Sequence, residues 1–187
     1  MASRLIDFFD RRARHYERIL SLPFFKALER DEVEGILRMV DARGKTVLDM
    51  GSGPGKFCRL WGSQDARLVV GIDFSSEMIS IARDKCGPNF LLGDAFNLPF
   101  HGGSFDIVSC IGLANYYRDI TPLLEEIMRV GEEFIISFPG ASMLGRVYRR
   151  ISPVEIYLRT RGDVEELLSL HSTDFSVAEC ASGLTLL

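Results

Sequence analysis

The chain has 187 residues, 47% of them apolar and 26% charged, which suits one domain whose core is large enough to need no disulfide or metal staple. A formal net charge of −4 offers no global positive field to recruit nucleic acid, so no nucleic-acid partner is expected. The four cysteines, Cys58, Cys86, Cys110 and Cys180, and the histidines His15, His101 and His171 lack any ligand spacing, so no metal site is expected and a reducing cytoplasm is the natural compartment.

Residues 3–20 place Leu5, Phe8, Phe9, Tyr16, Ile19 and Leu20 at helical spacing among Arg4, Arg11, Arg12, Arg14 and Arg18. This predicts a basic amphipathic helix, and three roles stay open for it: a helix docked on the domain, a lid, or a membrane-surface helix. No stretch is apolar for long enough to span a bilayer, and Asp7, Asp10 and Glu17 interrupt the arginines that a mitochondrial leader would keep free of acids. Stable membrane insertion and import are therefore not expected. Pro23 suits the first turn of a second helix running to about Met39, so residues 1–42 read as an N-terminal helical lid.

The apolar run Val47-Leu48-Asp49-Met50 predicts a strand that enters Gly51-Ser52-Gly53-Pro54-Gly55-Lys56, a loop with glycine at every second position. Glycines there let the backbone turn sharply and a ligand lie against bare amides, and the helix that follows adds the partial positive charge of its N-terminus. A dinucleotide fingerprint would place glycine or alanine where Lys56 stands, so a pyrophosphate is disfavoured at this loop.

From Thr46 strands and helices alternate. Strands are predicted at 46–50, 68–72, 89–92, 105–111 and 132–138, and helices at 55–63, 75–86 and 121–130. Almost wholly apolar strands such as Leu68-Val69-Val70-Gly71-Ile72 imply a mostly parallel sheet covered on both faces, a doubly wound α/β fold. Ligands then sit beyond the carboxyl ends of the strands. Asp73 stands at one such end, able to accept both hydroxyls of a ribose or to cap the helix at Ser75. Asp94, in Gly93-Asp94-Ala95, could accept from an adenine amine or simply make a turn.

Taken in order, Gly51-x-Gly53-x-Gly55, Gly71-x-Asp73-x-Ser75, Gly93-Asp94-Ala95, Leu98-Pro99-Phe100 and Ser104-Phe105-Asp106-Ile107-Val108 resemble the class I S-adenosylmethionine-dependent methyltransferases, in particular the ubiquinone and menaquinone branch acting on small molecules. The resemblance covers about residues 44–138. It implies a Rossmann-like sheet of seven strands with an antiparallel last strand, a cofactor-binding core over 43–138, and S-adenosylmethionine lying across the loop. Its methionine part would lie near Gly51 and Gly53, its ribose on Asp73, and its adenine near Phe74, Asp94 and Ala95. Asp49, Ser52, Gly55 and Ile111 complete the implied cofactor set. The segment Phe9 to Tyr16 is similar to the family's first helix, whose tyrosine, here Tyr16, approaches the methionine end.

The turn Gly112-Leu113-Ala114-Asn115-Tyr116-Tyr117 faces the transferable methyl in that family, and carries Asn115 and Tyr116 where relatives often place histidine. It also lacks the Asn/Asp-Pro-Pro-aromatic pattern of many enzymes that methylate base or glutamine nitrogens, which favours an oxygen or carbon acceptor. Residues 139–161 read as a long irregular insertion carrying Arg146, Arg149, Arg150, Arg159 and Arg161; these either engage an anionic acceptor or form a solvated basic face. A helix over 162–171 and strands at 175–179 and 183–187 complete the substrate side, 139–187, of a single domain. The sequence stops early in that last strand, as a trimmed C-terminus would.

Methyl transfer from a sulfonium is an in-line displacement in which positive charge disappears, so alignment contributes most of the acceleration. Tyr16 and Tyr116 could favour the cationic cofactor, and His15 or Tyr16 could take a proton from a phenol or activated carbon; a carboxylate acceptor would need no base. A non-catalytic protein of the same fold that binds the cofactor or a partner stays open. A nicotinamide oxidoreductase is disfavoured by Lys56 and Asp94.

Overall fold

The computed structural model describes residues 5–11, 23–170, 175–179 and 184–186. At its centre β1 (Thr46–Met50) lies parallel to β2 (Leu68–Asp73) on one side and to β4 (Phe105–Cys110) on the other, with Val47 opposite both Val69 and Ile107. Beyond β2 comes β3 (Phe90–Leu92), and beyond β4 comes β5 (Gly131–Pro139), again parallel. Two short strands continue past β5: β7 (Leu184–Leu186) runs antiparallel to it, Ser137 opposite Leu186, and β6 (Ala178–Glu179) runs antiparallel to β7. The order is β3-β2-β1-β4-β5-β7-β6.

Because side chains alternate across a strand, consecutive residues feed two different cores. Val47, Ile107 and Ile135 point to the face covered by α2 (Pro23–Met39) and α3 (Lys56–Ser63), where Ile36 and Trp61 meet them. Leu48, Val108 and Ile136 point to the other face, against Leu123, Leu124 and Ile127 of α5 (Thr121–Val130) and Val164 and Leu168 of α7 (Arg161–Ser169). Between β2 and β3, α4 (Ser76–Cys86) sets Ile79 and Ala82 against Phe90. Burial of each large side chain stabilises the fold by about 1.5 to 3 kcal/mol, which holds the carboxyl ends of the central strands in one row.

The predicted strands and helices of residues 46–138 lie within two residues of those observed. The insertion departs from expectation: residues 139–161 are not irregular throughout but contain α6 (Met143–Ile151), started by Ser142, whose hydroxyl accepts from Gly145 N at 3.1 Å. In the first predicted helix, residues 5–11 are helical and form α1; the remainder, with Tyr16 and His15, lies outside the described residues. Among the described residues no helix is long and apolar enough to cross a membrane.

Candidate active site at the carboxyl edge of the sheet

The three glycines of the loop are needed for three different reasons. All have positive φ, at 69°, 51° and 82° for Gly51, Gly53 and Gly55. A Cβ on Gly51 would come within 3.0 Å of Leu113, and one on Gly55 within 2.8 Å of Cys86 Sγ, so these two let the loop pack on the turn after β4 and on α4. A Cβ on Gly53 would meet nothing within 4 Å, and the same holds for Gly112 across the cleft. The bare backbone of Gly53 and Gly112 therefore faces open space, as a ligand cradle requires.

Asp73 closes one side of that cradle. It is 8% exposed, its Oδ2 accepts from Gly53 N and its Oδ1 from Ser75 N, each at 2.9 Å. The carboxylate thus ties the loop to the start of α4, which Ser75 caps by accepting from Met78 N. The two roles foreseen for Asp73 are compatible, since each oxygen keeps a lone pair for a ligand hydroxyl. Burial holds its pKa above the usual range against these two hydrogen bonds. Phe74 follows, and Asp94, exposed on its loop, accepts from Phe96 N in a local turn, with Ala95 half-buried against the core. That loop is pinned from below by Glu126, which accepts from Leu98 N at 2.6 Å, and by Arg129, which donates to the carbonyls of Leu98 and Phe100.

Asp49 lies deeper. It is 2% exposed, accepts from Ser109 Oγ at 2.8 Å and from Cys58 Sγ at 3.4 Å, and burial pushes its pKa up to about 7. Ser52 is buried beside Gly71, with its hydroxyl unpaired among the described residues. Ile111 is buried among Ile36, Trp61 and Ile135.

Across the cleft the turn after β4 forms a 3-10 helix, Ala114–Tyr116. Asn115 is buried, and its Oδ1 has no partner among the described residues. Tyr116 shares a hydrogen bond with Tyr148 of α6, whose phenol burial holds above its usual pKa. Tyr117, which the sequence did not single out, packs on Phe96 with centroids 4.6 Å apart; burial, with Asp94 and Asp73 nearby, pushes its pKa up to about 12. Arg159 fixes this turn from behind: 8% exposed, it donates to the carbonyls of Ala114, Tyr117 and Arg118 and lies 5.2 Å from the Phe138 ring centroid.

One expectation about cations changes. Lys56 does not crowd the ligand side of the loop, because its ammonium turns to α2, 3.6 Å from Glu29 and 3.8 Å from Glu32. Of the insertion arginines, Arg159 is structural, Arg161 pairs with Glu165 at 2.7 Å, and Arg146, Arg149 and Arg150 are exposed. A carboxylate not foreseen above is Glu32, which accepts from Ser137 Oγ at 3.1 Å while Ser137 accepts from Gly112 N at 3.2 Å. Burial keeps the Glu32 carboxyl above its usual pKa.

Over the top lies α1. Phe9 meets Phe74 and Tyr116 edge-on, with centroids 6.0 and 5.3 Å away, and Ser75 Oγ donates to Asp10. The cleft is thus bounded by the glycine loop, Asp73, the Asn115 turn and α1. Residues 48–133 match the methyltransferase domain model. The chain carries the methyltransferase domain of the class I S-adenosylmethionine-dependent family. It is 32% identical over 136 residues to a demethylmenaquinone methyltransferase of Lactococcus lactis, covering 68% of this chain and 54% of that protein. To a malonyl-[acyl-carrier protein] O-methyltransferase of Pectobacterium atrosepticum it is 36% identical over 118 residues, 62% of this chain and 44% of that one. The chain spans about half the length of these curated relatives. In fold it is similar to the magnesium protoporphyrin IX methyltransferase of Synechocystis PCC 6803 crystallised with S-adenosylhomocysteine, with a TM-score of 0.81 at 19% identity over 100% of this chain and 98% of that one.

Proposed function

We propose that this methyltransferase domain binds S-adenosylmethionine and transfers its methyl group to an oxygen or carbon nucleophile of a small molecule. One observation carries the reading: the open cradle at Gly53 and Gly112 is rimmed by carboxyl groups, Asp73, Glu32 and the deeper Asp49, all held above their usual pKa by burial. Such a site favours a cationic ligand and opposes a pyrophosphate, and Lys56, the nearby cation, is already matched by Glu29 and Glu32.

The residues present fit the cofactor. Gly51, Ser52 and Gly53 would receive its methionine part and Asp73 its ribose. Phe74, Asp94 and Ala95 would line the adenine, with Tyr117 a further wall on that side. Asp49 acts from beneath, joined to Ser109 of β4 and Cys58 of α3, with Gly55 packed on α4 and Ile111 in the core under α2 and α3. When bound, S-adenosylmethionine supplies a methyl electrophile for in-line displacement.

The chain's own residues do the rest. Phe9 covers the cleft and excludes water, and the turn carrying Asn115 and Tyr116 orients the acceptor. Asn115 Oδ1, unpaired and buried, is set to accept from an acceptor hydroxyl or amide. Tyr116, held by its hydrogen bond to Tyr148, sets an aromatic ring beside the acceptor. His15 or Tyr16 would take the proton of a phenol or activated carbon, and Tyr16 would approach the methionine end of the cofactor. The names of the relatives make a quinone precursor the first acceptor to test, then a carboxylate ester precursor, with an anionic acceptor meeting Arg149 on the flank of α6.

Calorimetry with S-adenosylmethionine, S-adenosylhomocysteine and NAD, followed by metabolite extracts incubated with labelled methyl donor, tests this. Binding of both sulfur compounds and a labelled small molecule are expected. NAD binding with no response to either would overturn the cofactor assignment, and cofactor binding without any labelled product would favour the non-catalytic reading.

A further inference from the structure

We propose that the outer face of α6 docks the protein on an anionic lipid bilayer surface. This proposal is independent of which acceptor is methylated, and of methylation itself.

Successive residues of a helix are 100° apart, so Met143, Arg146, Val147 and Arg150 fall on a single stripe, with Met143 and Val147 one turn apart and Arg146 and Arg150 one turn apart beside them. All four are exposed, Met143 to 84% and Val147 to 50%. The opposite side of α6 is committed. Gly145 is buried with its Cα so close to the carbonyl of Gly140 that no side chain fits, and Tyr148 holds Tyr116. The helix therefore cannot rotate to bury Met143 without breaking its attachment to the cleft.

The arginines of this helix lack the acidic partners that many exposed arginines of the molecule have. Arg30, Arg38, Arg43, Arg67, Arg129 and Arg161 all have acidic partners. Arg146, Arg149 and Arg150 have no ion pair among the described residues, although the whole chain is net acidic at −4. Three unmatched arginines gathered on one nine-residue helix, on a protein with acid to spare, complement an anionic surface.

Exposed apolar side chains flanked by arginines on one helix face suit the boundary between acyl chains and phosphates of an anionic leaflet. Thin apolar side chains such as methionine and valine enter the headgroup boundary while arginines beside them stay at the phosphate level. Each arginine near an anionic leaflet strengthens binding by about fivefold. With two short apolar side chains the attachment is weak and reversible, and it leaves the cleft side of α6 facing the protein interior.

Vesicle co-sedimentation of the full chain tests this, using phosphatidylcholine alone and phosphatidylcholine doped with phosphatidylglycerol. Binding to the doped vesicles only is expected, weakening with salt. Arg146→Gln with Arg150→Gln should reduce it by about 25-fold, two arginines at fivefold each, and Met143→Asp with Val147→Asp should abolish it. Both pairs should leave circular dichroism and S-adenosylhomocysteine binding unchanged; a nitroxide placed by Met143→Cys gives a readout that needs no destabilising change and should report the headgroup boundary. Equal binding to both vesicle types, or variants that sediment like the parent chain, would overturn the proposal. So would absence of vesicle binding with salt-sensitive retention on polyglutamate, which would point to an acidic protein partner instead.

Discussion

Phe9 of α1 meets Tyr116 edge-on, with ring centroids 5.3 Å apart and planes at 78°, and the same ring reaches Phe74 at 6.0 Å. One side chain thus bridges the end of β2 and the turn after β4, the two lips of the cleft.

Phe9→Ala should release that bridge. Two edge-on pairs at about 0.5 to 1.5 kcal/mol each, with the burial lost as well, make a change of about 2 kcal/mol in the seating of α1. Amide hydrogen exchange over residues 5–11 should accelerate by more than tenfold while that of β1 stays slow. Methyl transfer should fall more than cofactor affinity does. Unchanged exchange would mean that α1 is held by other contacts.

Asp73→Ala removes a buried acceptor of two backbone N–H groups as well as the proposed ribose contact. A loss of about 2 to 3 kcal/mol in S-adenosylhomocysteine binding is expected by calorimetry. Asp73→Asn, which can still accept from one of these amides, should lose less. Affinity equal to that of the parent in a folded Asp73→Ala protein would reduce Asp73 to a cap for α4.

The loop glycines should separate by phenotype. Gly51→Ala and Gly55→Ala drive a Cβ into Leu113 and Cys86, and each should lower the melting temperature as well as binding. Gly53→Val places its side chain in open space, so beyond the cost of positive φ, about 1 kcal/mol, the loss should appear in cofactor affinity. Thermal melts with and without S-adenosylhomocysteine distinguish the two classes.

Stability should fall as pH rises from about 4 to about 7. Asp49 titrates near 3.8 unfolded and near 7 folded, so over this window the native state holds the extra proton and each added unit of pH favours unfolding, by at most about 1.4 kcal/mol. Asp73 and Glu32, also raised, act in the same direction. Below about pH 4 the sign reverses, because Asp41, Asp106, Asp119 and Asp163 are held below the usual carboxylate range by their hydrogen bonds. Urea titrations across pH should therefore peak in mild acid, and Asp49→Asn should flatten the upper limb.

Arg159→Met should loosen the acceptor turn. Three carbonyls lose a charged donor, and a destabilisation of about 3 kcal/mol is expected. Its signature is a fall in turnover at saturating cofactor with little change in cofactor affinity; equal loss of both would mean that the whole sheet edge had shifted.

The body of the fold was legible because its strands are short apolar runs punctuated by glycine and aspartate, a pattern that sheet burial leaves little freedom to disguise. The helix at 143–151 was missed although Ser142 offered its cap, because it is short, carries Gly145 in its interior and follows Pro139-Gly140. Glu32 was illegible for another reason. A glutamate on a helix otherwise rich in charge reads as solvated, and only the packing of α2 across the sheet brings it to Ser137. Arg159 and Arg149 look alike in sequence; the backbone bridge between Gly140 and Arg159 carries one inward. Side-chain direction at the start of a helix was equally out of reach, which is why Lys56 seemed to face the ligand.

Trp61 is the only tryptophan, fully buried where α2 and α3 meet the sheet, with Ile36 of α2 in its shell. The protein therefore carries an intrinsic fluorophore seated under the helix that supplies Glu32. Its emission should be blue-shifted while α2 is docked and move to the red if that helix peels away. Detachment on this side of the sheet can thus be followed by light alone, separately from any change at α1 on the cleft.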